Sequence, residues 1–177
     1  MDKSKSNVGF RIMSLTFKIR DFFSPRVNIL KEVEIKKGFH VLDYGCGPGG
    51  YIISLAGMVG KSGKIYALDS HPLAIQMVRN LVLKKRFTNV ETIHSDCETG
   101  LPDNSLDAVL LYDTLHDLGE PYRVLRELHR VLKPQGILSI SDHHMKENEL
   151  VSMLEKRALF EMSNKGQKTY SFLRATY

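Results

Sequence analysis

Ten residues, Val41-Leu42-Asp43-Tyr44-Gly45-Cys46-Gly47-Pro48-Gly49-Gly50, restrict the fold of this chain more than any other stretch. A short apolar run stops at a glycine-rich turn, a helical pattern follows, and a second apolar run, Ile65-Tyr66-Ala67-Leu68, ends on Asp69. An acid about 20 residues past such glycines is the arrangement of a nucleotide-binding βαβ unit. The glycines spell both G-x-G-x-G and G-x-G-x-x-G, so by themselves they leave the adenosine-containing ligand open.

Gly and Pro punctuate the rest of the chain legibly. The first strand is expected at about His40 to Asp43, and a helix from near Gly50 to Gly60 carries Ile52, Ile53, Leu55 and Ala56. Lys61-Ser62-Gly63-Lys64 is a turn, the second strand runs from Lys64 to Leu68, and Pro72 opens a helix closed by Lys84, Lys85 and Arg86. A third strand, Val90 to His94, leads into a polar loop with Asp96, Pro102 and Asp103. The fourth, Leu106 to Tyr112, is almost continuously apolar, as in a strand covered on both faces. Pro121 starts a helix with Val124, Leu125, Leu128, Val131 and Leu132 on one stripe, and Lys133-Pro134-Gln135-Gly136 ends it before a fifth strand, Ile137 to Ser141. Residues 146 to 158 read as a further helix, and Leu159 to Ser163 and Thr169 to Ala175 alternate around Asn164-Lys165-Gly166-Gln167 as a hairpin. The fold class is α/β, a Rossmann-like three-layer αβα sandwich with ligand loops at the C-terminal ends of parallel strands.

Charge narrows the ligand. Asp43 stands two residues before Gly45, where a dinucleotide turn would hold phosphate against backbone amides, and a carboxylate there repels phosphate. S-adenosylmethionine carries no phosphate, and its methionyl ammonium is attracted by an acid. At this point the chain resembles the class I S-adenosylmethionine-dependent methyltransferases, whose first motif, D/E-x-G-x-G, is matched unbroken by Asp43-Tyr44-Gly45-Cys46-Gly47. It looks closest to the small ubiquinone/menaquinone-biosynthesis-like group, through Leu132-Lys133-Pro134-x-Gly136 and Asp113-Thr114-Leu115-His116. The resemblance covers about residues 25 to 177. It implies a seven-stranded, mostly parallel sheet of order 3-2-1-4-5-7-6 closed by an antiparallel hairpin, and methyl transfer as the activity.

The cofactor-binding residues expected on this reading are Asp43, Gly45, Cys46, Gly47, Gly49, Asp69, Ser70, Asp96, Cys97 and Tyr112. Asp69 stands where an acid accepts from both ribose hydroxyls. The resemblance gives Asp96 to the adenine amino group and the Cys97 amide to the ring. It also places backbone contacts to the methionyl group at Tyr112 to Asp117. No universal catalytic residue is expected, because the sulfonium already activates the methyl group and in-line positioning supplies much of the acceleration. Substrate-pocket candidates are Tyr112, His116, Asp117 and His143, with His116 or His143 available as general base for a hydroxyl or an acidic carbon. Ser70 and His71 stand near the ribose or the adenine edge. Acids after strands four and five, Asp113 and Asp142, match the places of a magnesium-assisted site, but Asp142-His143 replaces its Asp-Asn pair, and no metal is assigned.

A chain of 177 residues with 42% hydrophobic content supports one core. We expect residues 1–35 to form an N-terminal helical lid and residues 36–177 the S-adenosylmethionine-binding domain. Residues 1–40 hold nine Lys/Arg against four Asp/Glu, whereas the remainder holds sixteen of each. The neutral body argues against a broad nucleic-acid footprint. Residues 10–23 interleave Phe10, Ile12, Met13, Leu15, Phe17, Ile19, Phe22 and Phe23 with Arg11, Lys18 and Arg20, a pattern for a lid or a peripheral membrane contact. The expected partner is a small-molecule acceptor, and a cytoplasmic location fits the missing signal-peptide pattern. The two cysteines suggest neither a disulfide nor a zinc site. An NAD-dependent oxidoreductase and a non-catalytic cofactor-binding module are the rival readings, the first disfavoured by Asp43.

Overall fold

The structure, a computed structural model, describes residues 27–175. After α1 (Val27–Leu30) and a 3-10 turn (Lys31–Val33), the elements are β1 (His40–Tyr44), α2 (Ile52–Val59), β2 (Lys64–Asp69), α3 (Pro72–Lys85), β3 (Val90–His94) and β4 (Leu106–Tyr112). A second 3-10 turn (Leu115–Asp117) precedes α4 (Pro121–Val131), β5 (Leu132–Ser141), α5 (Glu147–Glu155), β6 (Phe160–Lys165) and β7 (Tyr170–Arg174). The seven strands form one sheet of order β3-β2-β1-β4-β5-β7-β6, in which only the β5–β7 and β6–β7 pairs are antiparallel. Order and hairpin are as the sequence reading anticipated.

Alternation within the central strands sorts side chains onto two cores. Val41, Ile65, Ala67, Ala108 and Leu110 pack with Ile52, Leu55, Val59, Ile75 and Val78 from α2 and α3. Leu42, Leu68, Val109, Leu111, Leu138 and Ile140 pack on the other face, with Val124, Leu125, Leu128 and Val131 of α4 and Leu150 and Leu154 of α5. Burial on both faces explains why β4 reads as a continuous apolar run. The described part of the expected lid, residues 27–35, contributes Leu30, Val33 and Ile35 to the first core. There Glu32 accepts from the Lys168 and Thr169 amides and the Thr169 hydroxyl, which ties this segment to the β6–β7 turn.

Two boundaries differ by three residues or more from the sequence reading. Leu132 belongs to β5 and pairs with Leu106 before a register shift, rather than ending the helix. The residue before a proline is driven out of the α region, so Lys133 ahead of Pro134 keeps the chain extended as soon as α4 stops. Helix α5 ends at Glu155 instead of residue 158, because Ala158 takes a left-handed conformation with φ 50°. Among the described residues no helix is long and apolar enough to cross a membrane. The aromatic and basic segment 10–23 lies outside the described residues.

Candidate active site at the carboxyl edge of the sheet

The glycine turn is built by the strands beneath it. Gly45 (φ 75°) and Gly47 (φ 52°) take left-handed conformations that a residue with a Cβ enters only at a cost. The amides of Gly45 and Cys46 both donate to the Leu68 carbonyl, at 2.8 and 2.9 Å, and fold the turn back over β2. One Asp69 carboxylate oxygen accepts from the Gly47 amide and the other from the His71 amide, each at 2.8 Å. Asp69 therefore braces the turn before any ligand arrives, and two oxygens with about four lone-pair sites keep capacity for further donors.

The three glycines face different surroundings. A Cβ on Gly45 would collide with the Thr114 side chain, lying 2.8 Å from Cγ2 and closer still to Oγ1. A Cβ on Gly49 would press on Val78 and Leu81 of α3, which makes Gly49 a close-packing position between turn and helix. A Cβ on Gly47 would meet nothing within 4 Å. Gly47 thus opens onto free space at the carboxyl edge, beside the Asp69 carboxylate.

Acids surround that space. Asp43 is 2% exposed at the end of β1. Burial, reinforced by the Asp43 and Asp69 carboxylates, pushes the Cys46 thiol well above its ordinary range, so it remains a protonated loop residue. Cys97 is likewise buried and raised in pKa by desolvation. Its amide donates to Ser95 Oγ at 3.2 Å. Asp96 is exposed, and its carbonyl accepts from the Tyr44 hydroxyl at 2.7 Å. Ser70 is exposed, while the His71 ring caps α3 by accepting from the Leu73 amide at 3.1 Å.

Sequence reasoning missed two braces of the loop 94–99. One is that Tyr44 hydroxyl, whose pKa burial raises. The other is Glu127, which accepts from the Thr99 amide at 2.9 Å and the Thr99 hydroxyl at 2.6 Å while pairing with Arg130 at 2.8 Å. The available signal was an acid on the apolar stripe of α4, among Val124, Leu128 and Val131.

The acceptor-side candidates separate in the structure. The Tyr112 side chain is 6% exposed, its hydroxyl shares a hydrogen bond of 2.9 Å with Ser139 and its ring meets Tyr51 edge-on, so this phenol is turned into the sheet. The Tyr112 carbonyl accepts from Thr114 Oγ1 at 2.9 Å. Asp142, whose side chain is 0% exposed, accepts from both the amide (3.1 Å) and the ring Nδ1 (2.9 Å) of His116. Its second oxygen accepts from the His144 amide at 3.1 Å. His143 pairs with Asp113 nearer to solvent. Asp117 lies 3.7 Å from His116 Nε2, beyond hydrogen-bonding distance. Asp113 and Asp142 are thus each engaged by histidine, and among the described residues no group of three metal-ligating side chains assembles.

The charge of these loops favours a cationic ligand over an anionic one. The loops 43–51, 69–72, 94–99 and 112–118 contain no Lys or Arg, and a dinucleotide pyrophosphate would meet carboxylates there with no cation supplied by the loops themselves. The sheet order is the one implied by the resemblance to class I methyltransferases, a Rossmann-like class.

Known proteins agree. The methyltransferase-domain family model matches residues 35–176. Demethylmenaquinone methyltransferase of Geobacillus stearothermophilus is 32% identical over 126 residues, which are 71% of this chain and 54% of that protein. The enzyme of the same name from Listeria monocytogenes serotype 4a is 36% identical over 118 residues, 66% of this chain and 50% of that protein. This chain spans about half the length of these relatives. A solved S-adenosylmethionine-dependent methyltransferase from Aquifex aeolicus superposes with a TM-score of 0.75 at 29% identity, covering 89% of this chain and 96% of that one. The chain belongs to the methyltransferase-domain family.

Proposed function

We propose that this protein transfers the methyl group of S-adenosylmethionine to a small-molecule acceptor presented at the loops after β4 and β5. The observation that carries the reading is the free space at Gly47 beside the braced Asp69 carboxylate. Similarity to proteins named demethylmenaquinone methyltransferase supports a small organic acceptor. When bound, the sulfonium of S-adenosylmethionine supplies an activated methyl group.

The protein's share is binding and orientation. Asp69 accepts from the ribose hydroxyls with its unused lone pairs, and the Asp96 loop, held by Tyr44 and Glu127, takes the adenine edge. Asp43 attracts the methionyl ammonium through the field of a buried carboxylate. The Gly45–Gly47 backbone lets the ligand approach closely, and the Thr114 side chain against Gly45 fixes the spacing between the cofactor turn and the acceptor loop.

Titration calorimetry with S-adenosylmethionine on the wild-type chain and Asp69→Ala tests this. Loss of a hydrogen-bonding carboxylate is expected to weaken binding by about tenfold or more. Equal affinity in the variant removes the ribose assignment, and no binding by the wild type sinks the reading.

A further inference from the structure

We infer that His116 is the general base of the proposed reaction, positioned by Asp142, and that the acceptor is a compound with an acidic hydroxyl of phenol or enol type. This rests on the methyl-transfer reading and deepens it. Two bonds from one residue meet at one oxygen. Asp142 Oδ2 receives both the backbone amide and the ring Nδ1 of His116, so backbone and imidazole are fixed against the same buried carboxylate. A carboxylate accepts and does not donate, so the neutral ring carries its proton on Nδ1 and leaves the Nε2 lone pair available. The His116 side chain is 24% exposed, open to a ligand only in part, whereas that of His143 is 59% exposed and its Nδ1 faces Asp113.

The charge balance favours the same residue. The acceptor oxygen's lone pair forms the O–CH3 bond, the S–CH3 bond breaks with its electron pair going to sulfur, and the acceptor proton goes to His116 Nε2. The positive charge lost from sulfur reappears on an imidazolium whose Nδ1–H already points at Asp142. Asp117, 3.7 Å from Nε2, adds a second negative field. The other titratable groups facing this ring are His144, tilted by 41° with its centroid 4.3 Å away, and beyond it His143, stacked on His144, and Asp113. Imidazole is best matched to an acceptor whose acidity lies within a few units of neutrality, which is the phenol and enol range rather than that of an aliphatic alcohol.

The test combines label transfer with a readout that needs no turnover. His116→Gln, Asp142→Asn and, at the rival base, His143→Gln are compared with wild type. Each is given tritiated-methyl S-adenosylmethionine and, separately, 1,4-dihydroxynaphthalene, 1-naphthylamine and 1-naphthalenethiol. The wild type is expected to label the hydroxyl probe, with kcat rising with pH and levelling. His116→Gln is expected to lose about 100-fold or more in kcat together with that pH dependence, with KM little changed. Asp142→Asn should lose about tenfold in kcat, and His143→Gln, whatever its rate, should keep the pH profile of the wild type. Nitrogen NMR of the ligand-free protein should show His116 as the Nδ1–H tautomer in wild type and as a mixture in Asp142→Asn. A full rate in His116→Gln, preference for the amine or thiol, labelling of no probe, or an unchanged tautomer in Asp142→Asn overturns the inference. Calorimetric binding of S-adenosylmethionine by each variant separates that failure from failure of the methyl-transfer reading.

Discussion

Replacing Gly45 with alanine should destabilise the protein through one identifiable neighbour, and the size of the effect follows from two contributions. An alanine held at φ 75° costs about 1 kcal/mol relative to glycine. The new Cβ also intrudes on Thr114, lying 2.8 Å from Cγ2 and 3.1 Å from Cβ of that residue, so the threonine must turn away. Turning breaks its hydrogen bond of 2.9 Å to the Tyr112 carbonyl, which contributes about 1 kcal/mol. The expected loss is about 2–3 kcal/mol, a fall in Tm of roughly 5–10 °C for a chain of this size. Urea unfolding of Gly45→Ala, Thr114→Ala and the double variant forms the assay. Thr114→Ala removes Oγ1 and Cγ2 in advance, so the glycine substitution in that background should cost only the backbone contribution of about 1 kcal/mol. A coupling of about 1–2 kcal/mol is therefore expected. Additivity of the two substitutions would refute the reasoning, because it would mean that the Thr114 side chain is not what forbids a Cβ at Gly45.

Two further outcomes follow from the same geometry. Gly47→Ala adds its methyl to open space, so it should cost only about 1 kcal/mol in urea unfolding while weakening S-adenosylmethionine by more than tenfold in calorimetry; the reverse pattern would deny that Gly47 faces the ligand. Hydrogen bonds from Arg130, followed by those from Thr99, hold the Glu127 carboxyl at about 2, below its ordinary 4.5. A depressed folded pKa adds stability at pH values above the unfolded pKa, and that stability is lost as pH falls from about 4.5 towards 2. Discounted for the partly exposed Arg130, the loss is on the order of 2 kcal/mol, and urea unfolding between pH 6 and pH 3 should show a steeper decline for wild type than for Glu127→Gln.

Much of this architecture was legible because it depends on local chemistry. Val90–His94 and Leu106–Tyr112 read directly as strands, since apolar runs bounded by turn residues need no knowledge of their partners. Pro72 and Pro121 open helices in the structure as in the sequence. The misplaced end of α4 has a local cause as well: the pull of Pro134 on Lys133 outweighed the apolar periodicity that includes Leu132.

The sequence by itself determined the class of the protein. Period, punctuation and an acid before the glycines are properties of neighbours along the chain, and they suffice for strand order by resemblance and for the sign of the ligand's charge. Only the tertiary structure decided how the candidate residues divide their work. Tyr112 and His116 stand four positions apart in the sequence, yet the sheet turns the Tyr112 phenol towards Ser139 of β5 and leaves His116 against Asp142 at its edge. Asp142 lies 26 residues from His116, and Glu127 lies 28 from Thr99, so no window of local pattern contains either pair. Burial then sets the chemistry of each: a carboxylate withdrawn from water must be satisfied by the donors that the fold brings to it, and those donors are chosen by strand pairing rather than by sequence neighbourhood.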